Sequence, residues 1–357
     1  MKVVSLVALK KRPDTKEKNC MRLNWFLVTV ACAIASSCWA TGTAKLTESV
    51  SGKDLSDVQR LTAYEDSYAI WNQMRNTEWT TKDEQSLRTK ISFKYTFCGP
   101  QFRRPSKGQR AESESSSAKQ ADSWCPTTGK WAEAELFFGY TGEFDFYAGT
   151  RPSGPVIGRV NAPGLFVRLP ARLFLDPDWK TADGLEIGLQ HRSDGQSTEV
   201  SGERNTRIAK EQYAAGNRQF FDTISRGANF LLIAVDKELP EPPIGDKLTL
   251  RAKLRVYLGE QDSVVTWGPL ANTGQRFSDY DRLQLHAWWR ISHQIQIDIG
   301  WRLGDRGLAT DSWTLGAEFT LATLPLYLRF HRGPMNTLSN YTQRQDSIGF
   351  GIRFASF

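Results

Sequence analysis

The stretch Lys247-Leu248-Thr249-Leu250-Arg251-Ala252-Lys253-Leu254-Arg255-Val256-Tyr257-Leu258 decides the fold. In an extended chain successive side chains point to opposite faces. Leu248, Leu250, Ala252, Leu254, Val256 and Leu258 therefore share one face. Lys247, Thr249, Arg251, Lys253 and Arg255 share the other. A soluble sandwich also alternates, so the polar face is what discriminates. Here it is crowded with charge, and the run is about ten residues long, the length a tilted strand needs to cross a bilayer. Apolar side chains facing lipid and charged ones facing inward describe a transmembrane barrel strand. Closing the sheet leaves no unpaired backbone edge in lipid.

The same period recurs along the chain. Ile291, His293, Ile295, Ile297, Ile299, Trp301 and Leu303 alternate with Ser292, Gln294, Gln296, Asp298, Gly300 and Arg302. Leu165, Val167, Leu169, Ala171 and Leu173 oppose a face carrying Arg168 and Arg172. Trp313, Leu315, Ala317, Phe319 and Leu321 oppose Thr314, Glu318 and Thr320. The pattern predicts twelve strands, at about 62–74, 86–98, 131–148, 163–174, 184–193, 217–236, 247–258, 279–291, 293–303, 311–321, 324–333 and 345–357. Residues 259–278 and 304–311 would be outer loops. Residues 322–325 and the Ser292 region would be tight inner turns. The expected fold is all-β: a twelve-stranded antiparallel transmembrane β-barrel of the bacterial outer membrane, surrounded by outer-membrane lipids. No apolar run of 18 residues follows the N-terminal region, which excludes a helical membrane protein. The chain ends on Ile348, Phe350, Ile352, Phe354 and Phe357. A terminal aromatic after an amphipathic strand resembles the signal read by the barrel assembly machinery.

The N-terminal residues read as an export signal. Met21-Arg22-Leu23-Asn24 precede an apolar stretch from Trp25 to Ala35, and Cys38 and Ala40 stand at the −3 and −1 positions of a cleavage site. Met21 is the expected start. Residues 1–40 form the signal region, 41–61 a periplasmic segment, and 62–357 the barrel with a polar insert at 99–130. Three of the five cysteines fall in the signal region, leaving Cys98 and Cys125 to bracket that insert. In an oxidising periplasm they can close it as a disulfide; the alternative is two unpaired thiols. The net charge of +7 suits either an anionic partner or a solvated charged surface. With no nucleic-acid motif in the chain, no nucleic-acid partner is expected.

The strand at 184–193 holds the candidate chemistry. Leu185, Ile187, Leu189, His191 and Ser193 share the lipid face, and Glu186, Gly188, Gln190 and Arg192 the other. His191 and Ser193 stand about 6–7 Å apart along a strand, which lets a histidine act as general base on a hydroxyl. The same two residues also suit an ordinary strand end entering the headgroup zone.

The segment Gly188-Leu189-Gln190-His191-Arg192-Ser193-Asp194-Gly195-Gln196 resembles the active-site motif of outer-membrane phospholipase A, His-x-Ser-Asn-Gly-Arg, which is followed further on by Asn-Arg opening the next strand. Asn217-Arg218 stands there in this chain. Asp66-Ser67-Tyr68-Ala69-Ile70-Trp71 resembles the family's first strand. Pro152-Ser153-Gly154-Pro155, with Asn161 and Pro163, resembles its calcium-ligand loop. The resemblance implies a calcium-dependent phospholipase acting on A1 and A2 esters and on lysophospholipids. Ser193 would be the nucleophile, His191 the base and Asn217 the residue orienting it, with Asn205 competing for that third role. Ca2+ would be held by Ser153 and by the segment after the nucleophile through Gln196. A homodimer is implied as well, although Gly142 falls near the position of the family's interface Gln. Asp194 and Gln196 replace the family's Asn and Arg, and the loop between Ser193 and Asn217 is longer than the family's. These departures leave a second function open, a catalytically silent barrel serving as a structural protein or small pore. A third, a barrel enzyme acting on lipopolysaccharide acyl chains, is disfavoured by strand order and the His-x-Ser spacing.

Overall fold

The computed structural model describes residues 60–76, 83–100, 125, 130–147, 157–170, 183–194, 211, 215, 227–239, 242–258, 276–338 and 341–355. The expected signal region and residues 41–59 of the expected periplasmic segment lie outside them, while its last residue, Leu61, opens the first strand. The strands are β1 (Leu61–Ala63), β2 (Ser67–Asn76), β3 (Glu84–Cys98), β4 (Glu135–Tyr147), β5 (Ile157–Pro170), β6 (Gly184–Ser193), β7 (Gly227–Leu239), β8 (Lys247–Tyr257), β9 (Leu283–Ser292), β10 (Ile295–Gly304), β11 (Gly307–Leu321), β12 (Leu324–Gly333) and β13 (Gln345–Ala355). Each pairs antiparallel with its neighbours, and β13 pairs with β2, which closes the sheet.

β1 and β2 are one broken stave, so the barrel has twelve. Both pair with β3, through Ala63↔Phe93 and Tyr68↔Lys90, so residues 64–67 bulge opposite Ile91 and Ser92. The bulge turns Tyr64 into the interior, where its hydroxyl donates to Glu186 at 2.8 Å. The expected strand at 62–74 is thus interrupted, and other boundaries move: those expected to open at 131 and 279 begin at Glu135 and Leu283, after short 3-10 turns at Lys130–Glu133 and Phe277–Asp279. The strand expected at 163–174 is Ile157–Pro170, and that expected at 217–236 is Gly227–Leu239. The outer loop expected at 304–311 is a two-residue turn at Asp305 and Arg306. Gly307 follows it at φ +61°, a conformation glycine adopts without strain. The inner turns at 293–294 and 322–323 fall where the pattern places them.

β8 carries the sign of the fold. Leu250, Leu254 and Val256 are 40%, 39% and 40% exposed, while Arg251, Lys253 and Arg255 are 2%, 6% and 7% exposed. Charge is buried and hydrocarbon presented, the reverse of a water-soluble protein. The exposed apolar set continues around the wall through Leu165, Leu189, Ile299, Leu315, Phe319, Phe330, Ile348 and Phe350. Such a continuous apolar surface has to meet lipid. The stacked pair Trp301 and Trp313, with centroids 5.1 Å apart, stands near one rim. Trp289, bonded to the Ile244 carbonyl at 2.8 Å, stands near the other. Aromatic side chains of this kind belong at the headgroup level.

Many interior charges are paired, which offsets the cost of holding them away from water. Arg88 holds Asp145 through two bonds of 2.9 Å, Arg251 meets Glu186 at 2.8 Å, Lys253 meets Glu65, and Arg353 meets Asp298. One part of the interior departs from a simple polar lumen. Tyr64, Phe137, Phe166, Phe230, Leu232 and Ala234 form an apolar cluster behind β4 to β7. Gly188 makes room for it: a Cβ there would lie 2.2 Å from the Phe166 ring. Met335, Leu338 and Tyr341, from the segment after β12, pack at the loop-bearing end. A cavity of about 90 Å³ lies in the charged part of the lumen, lined by Asp66, Lys90, Arg192 and Asp298 among others. Cys98 and Cys125 are joined as a disulfide that closes the base of the polar insert.

Candidate active site

β6 and β7 run side by side with His191 opposite Asn229 and Ser193 opposite Gly227. The β6 alternation continues to its end. Gly184, Glu186 and Gly188 face inward and are buried, while Leu189 and His191 face outward and are exposed. The outward face of β7 near this end is Gly227, Asn229, Leu231 and Ile233, and its inward face is Ala228, Phe230, Leu232 and Ala234. Asn229 is thus the polar residue in a nearly unbroken apolar run, and it faces the same way as His191.

The two side chains meet. His191 Nδ1 and Asn229 Oδ1 are 2.7 Å apart. A carboxamide oxygen can only accept, so Nδ1 carries the proton and Nε2 presents its lone pair. That is the tautomer a general base needs. Ser193 stands two residues along the strand on the same outer face, half-buried. Gly227 keeps the space beside the pair open: an added Cβ would come within 3.1 Å of Ser193 Cβ and 3.4 Å of His191 Cε1.

On the other flank, β5 places Asn161 directly opposite Ser193. Asn161 accepts a hydrogen bond from the Tyr140 hydroxyl of β4 at 2.8 Å. Below the site, Phe138, Pro163, Leu165, Leu189 and Leu258 line an open apolar groove on the wall that reaches His191 and Asn229. A hydrocarbon chain lying against the barrel would occupy such a surface.

Behind the site the strand end is anchored by charge. Arg192, between His191 and Ser193 but on the inner face, donates to Asp281 at 3.0 Å. Asp281 is 1% exposed and also meets Arg255 at 2.6 Å and Arg302 at 3.2 Å. Burial pushes its carboxyl up, but the guanidiniums of Arg255, Arg302 and Arg192 together hold it below the usual carboxylate range.

β6 carries His191 and Ser193 two positions apart on its outer face. The described strand paired with β6 is Gly227–Leu239, and the amide that His191 meets is Asn229. Asn217, Asn205, Ser153 and Gln196 all lie outside the described residues. A polar residue isolated in the apolar run 228–235 was the available signal for Asn229. Gly142, at the expected interface position, is flanked by Tyr140 and Phe144, which a Cβ there would meet at 3.0 and 3.1 Å. Among the described residues no group of three or more His, Cys, Asp or Glu side chains is gathered as a metal site.

This is the fold of outer membrane phospholipase A. The structure of that protein from Escherichia coli aligns with a TM-score of 0.54 at 15% identity, over 83% of this chain and 92% of its own. An E. coli active-site mutant of outer membrane phospholipase A, with alanine replacing an asparagine, aligns with the same values. So does a Salmonella typhi outer membrane phospholipase dimer with bound calcium. No protein-family model matches the chain, and no curated protein sequence matches it. The likeness to outer membrane phospholipase A therefore rests on the barrel, and with the apolar outer wall it places the chain among bacterial outer-membrane barrels.

Proposed function

We propose that this barrel is a serine esterase, a calcium-dependent phospholipase that hydrolyses acyl esters of glycerophospholipids at the A1 and A2 positions and of lysophospholipids. The observation that carries the reading is the 2.7 Å contact between His191 Nδ1 and Asn229 Oδ1 on the face shared with Ser193, beside an apolar groove. The Salmonella dimer makes a homodimer of this chain part of the proposal.

In this mechanism Ser193 Oγ attacks the ester carbonyl while His191 Nε2 takes the hydroxyl proton. Asn229 holds the imidazole in the required tautomer and accepts from it throughout. The tetrahedral intermediate collapses by breaking the bond to the glycerol oxygen, which receives the proton back from His191. The acyl chain stays on Ser193 until water, deprotonated by His191, attacks the acyl carbonyl, and Ser193 recovers its proton as the fatty acid leaves. A neutral Asn suits a lipid-facing site, because an ionised Asp there would cost more to desolvate.

The donors expected for calcium are the Ser153 hydroxyl and oxygens of the segment through Gln196. Asp194, buried at the end of β6, adds a carboxylate at the same end. An all-oxygen set fits a hard cation. When bound, calcium would act as a Lewis acid on the carbonyl oxygen.

The test is covalent labelling. A long-chain sulfonyl fluoride is expected to modify Ser193, with calcium present and not in excess chelator, and chelation should remove most phospholipid hydrolysis in step. Full hydrolysis in chelator would remove calcium from the mechanism. Failure to label Ser193 in either condition would remove the esterase.

Gly227→Ala tests the spacing. The added methyl would stand 3.1 Å from Ser193 Cβ, so Ser193 must give by a few tenths of an ångström, and a misplaced nucleophile loses rate steeply, by about 10²-fold per 1 Å. A loss of at least ~10-fold in kcat is expected in a barrel that still migrates as a folded, heat-modifiable band. Wild-type turnover would mean that the space beside Ser193 is not used.

A further inference from the structure

The mechanism above leaves the developing negative charge on the substrate oxygen without a side-chain donor from the protein. One described residue stands where such a donor is needed. Asn161 is the cross-strand neighbour of Ser193, its Cα partner across the β5–β6 ladder. Directly opposed residues in an antiparallel pair have Cβ atoms about 4.5–5.5 Å apart, and both of these side chains point to the outer face. A carboxamide reaches that far, and a reacting carbonyl carbon on Ser193 Oγ would place its oxygen in the same space.

The orientation of the amide is set as well. Tyr140 donates its hydroxyl to Asn161 Oδ1 at 2.8 Å, so the oxygen is engaged and the NH2 group is directed elsewhere. Gly142, between Tyr140 and Phe144, is the Cα partner of Asn161 on the β4 side. With no side chain there, the outer surface beside Asn161 is left to the Tyr140 and Phe144 rings. A neutral donor fixed before the reaction, in a site of low polarity, stabilises an oxyanion strongly because it needs no reorganisation when the charge forms.

We infer that Asn161 is an oxyanion-binding catalytic residue, donating from Nδ2 to the tetrahedral intermediate, and that Tyr140 is the positioning residue that aims it. The inference rests on the esterase reading. It assigns the intermediate two flanks: His191 and Asn229 on the β7 side handle the proton, and Asn161 on the β5 side handles the charge.

The experiment compares Asn161→Ala, Asn161→Asp, Asn161→Ser and Tyr140→Phe with Ser193→Ala, using phospholipid in mixed micelles and confirming each barrel by heat-modifiable migration. Asn161→Ala is expected to lower kcat by about 10²-fold, the usual cost of one oxyanion donor, with KM within about 2-fold because the intermediate and not the bound ester is affected. Asn161→Asp keeps the shape but loses the donor, and should fall at least as far at pH 8. Asn161→Ser retains a donor and should recover part of the loss. Tyr140→Phe should lower kcat by about 10-fold with KM again unchanged. A folded Asn161→Asp or Asn161→Ala protein with wild-type kcat, beside an inactive Ser193→Ala, would overturn this inference and leave the esterase standing. Wild-type hydrolysis by Ser193→Ala would overturn the esterase itself.

Discussion

Ser193→Ala and His191→Ala are each expected to abolish phospholipid hydrolysis while leaving heat-modifiable migration intact. The two side chains stand on the outer wall, where neither supports the buried ion pairs that hold the interior, so neither change removes a contact the barrel depends on. Losses on the order of 10⁴-fold or more in kcat are what residues acting as one catalytic unit give when either is deleted. The double variant should be no worse than the worse single one, because a base without its nucleophile has nothing to activate. Asn229→Ala should cost less, since it releases the imidazole from one orientation and leaves its lone pair in place. Assays of the three single variants and the double variant against one micellar substrate separate these outcomes. A Ser193→Ala protein that turns over at the wild-type rate would remove Ser193 from the chemistry, and a wild-type barrel that hydrolyses no phospholipid would return the chain to the reading of a silent structural barrel.

The second large effect is structural. Asp281→Ala leaves Arg192, Arg255 and Arg302 facing one another without the carboxylate that joins them. Removing one partner of a buried ion pair costs about 3–5 kcal/mol, most of it from the charge left behind. The temperature at which the compact band converts to the unfolded one should fall clearly, and activity should fall with it, because Arg192 lies between His191 and Ser193. Pairing Asp281→Ala with Arg255→Met should recover part of the stability by removing one stranded charge. The acid side of the pH profile gives an independent reading. A carboxyl held below its ordinary value contributes stability fully above the unfolded pKa, near 4, and loses it as pH falls through the folded value. Wild-type barrels should therefore convert at lower temperature as pH drops below about 4, and Asp281→Ala should lack that component. An unchanged conversion temperature for Asp281→Ala at neutral pH would show that the cluster does not anchor the strand end.

The alternation in 247–258 was enough to read the barrel, because in β8 every inward residue from Arg251 to Arg255 is charged and every outward one is apolar. The reading lost resolution where that contrast fades. β7 begins at Gly227 because Ala228, Phe230, Leu232 and Ala234 fill an apolar part of the interior, so both faces of the strand look alike and its start carries no polar marker. β1 and β2 read as one strand because the four residues that bulge, from Tyr64 to Ser67, break the register without a Gly or Pro to mark the break. The shared face of His191 and Ser193 was legible because their relation is local, two positions along one strand. The neighbours Asn229 and Asn161 were not, because each is placed by a cross-strand register. That register depends on how much chain the intervening loop consumes, which composition does not reveal. Asn217 is marked in the sequence by the Arg218 that follows it, whereas Asn229 is marked only by its place in the β6–β7 ladder.

The placing of the pair has a kinetic meaning. His191 and Asn229 face outward from the sheet, on the side away from the charged lumen. Whatever reaches that pair arrives sideways, by diffusion in the plane of the leaflet. Encounter is then a two-dimensional search, governed by how many molecules share each unit of membrane area and indifferent to how much lipid the suspension contains. Diluting the leaflet with an inert amphiphile would slow the encounter, while adding more vesicles of the same composition would leave it unchanged.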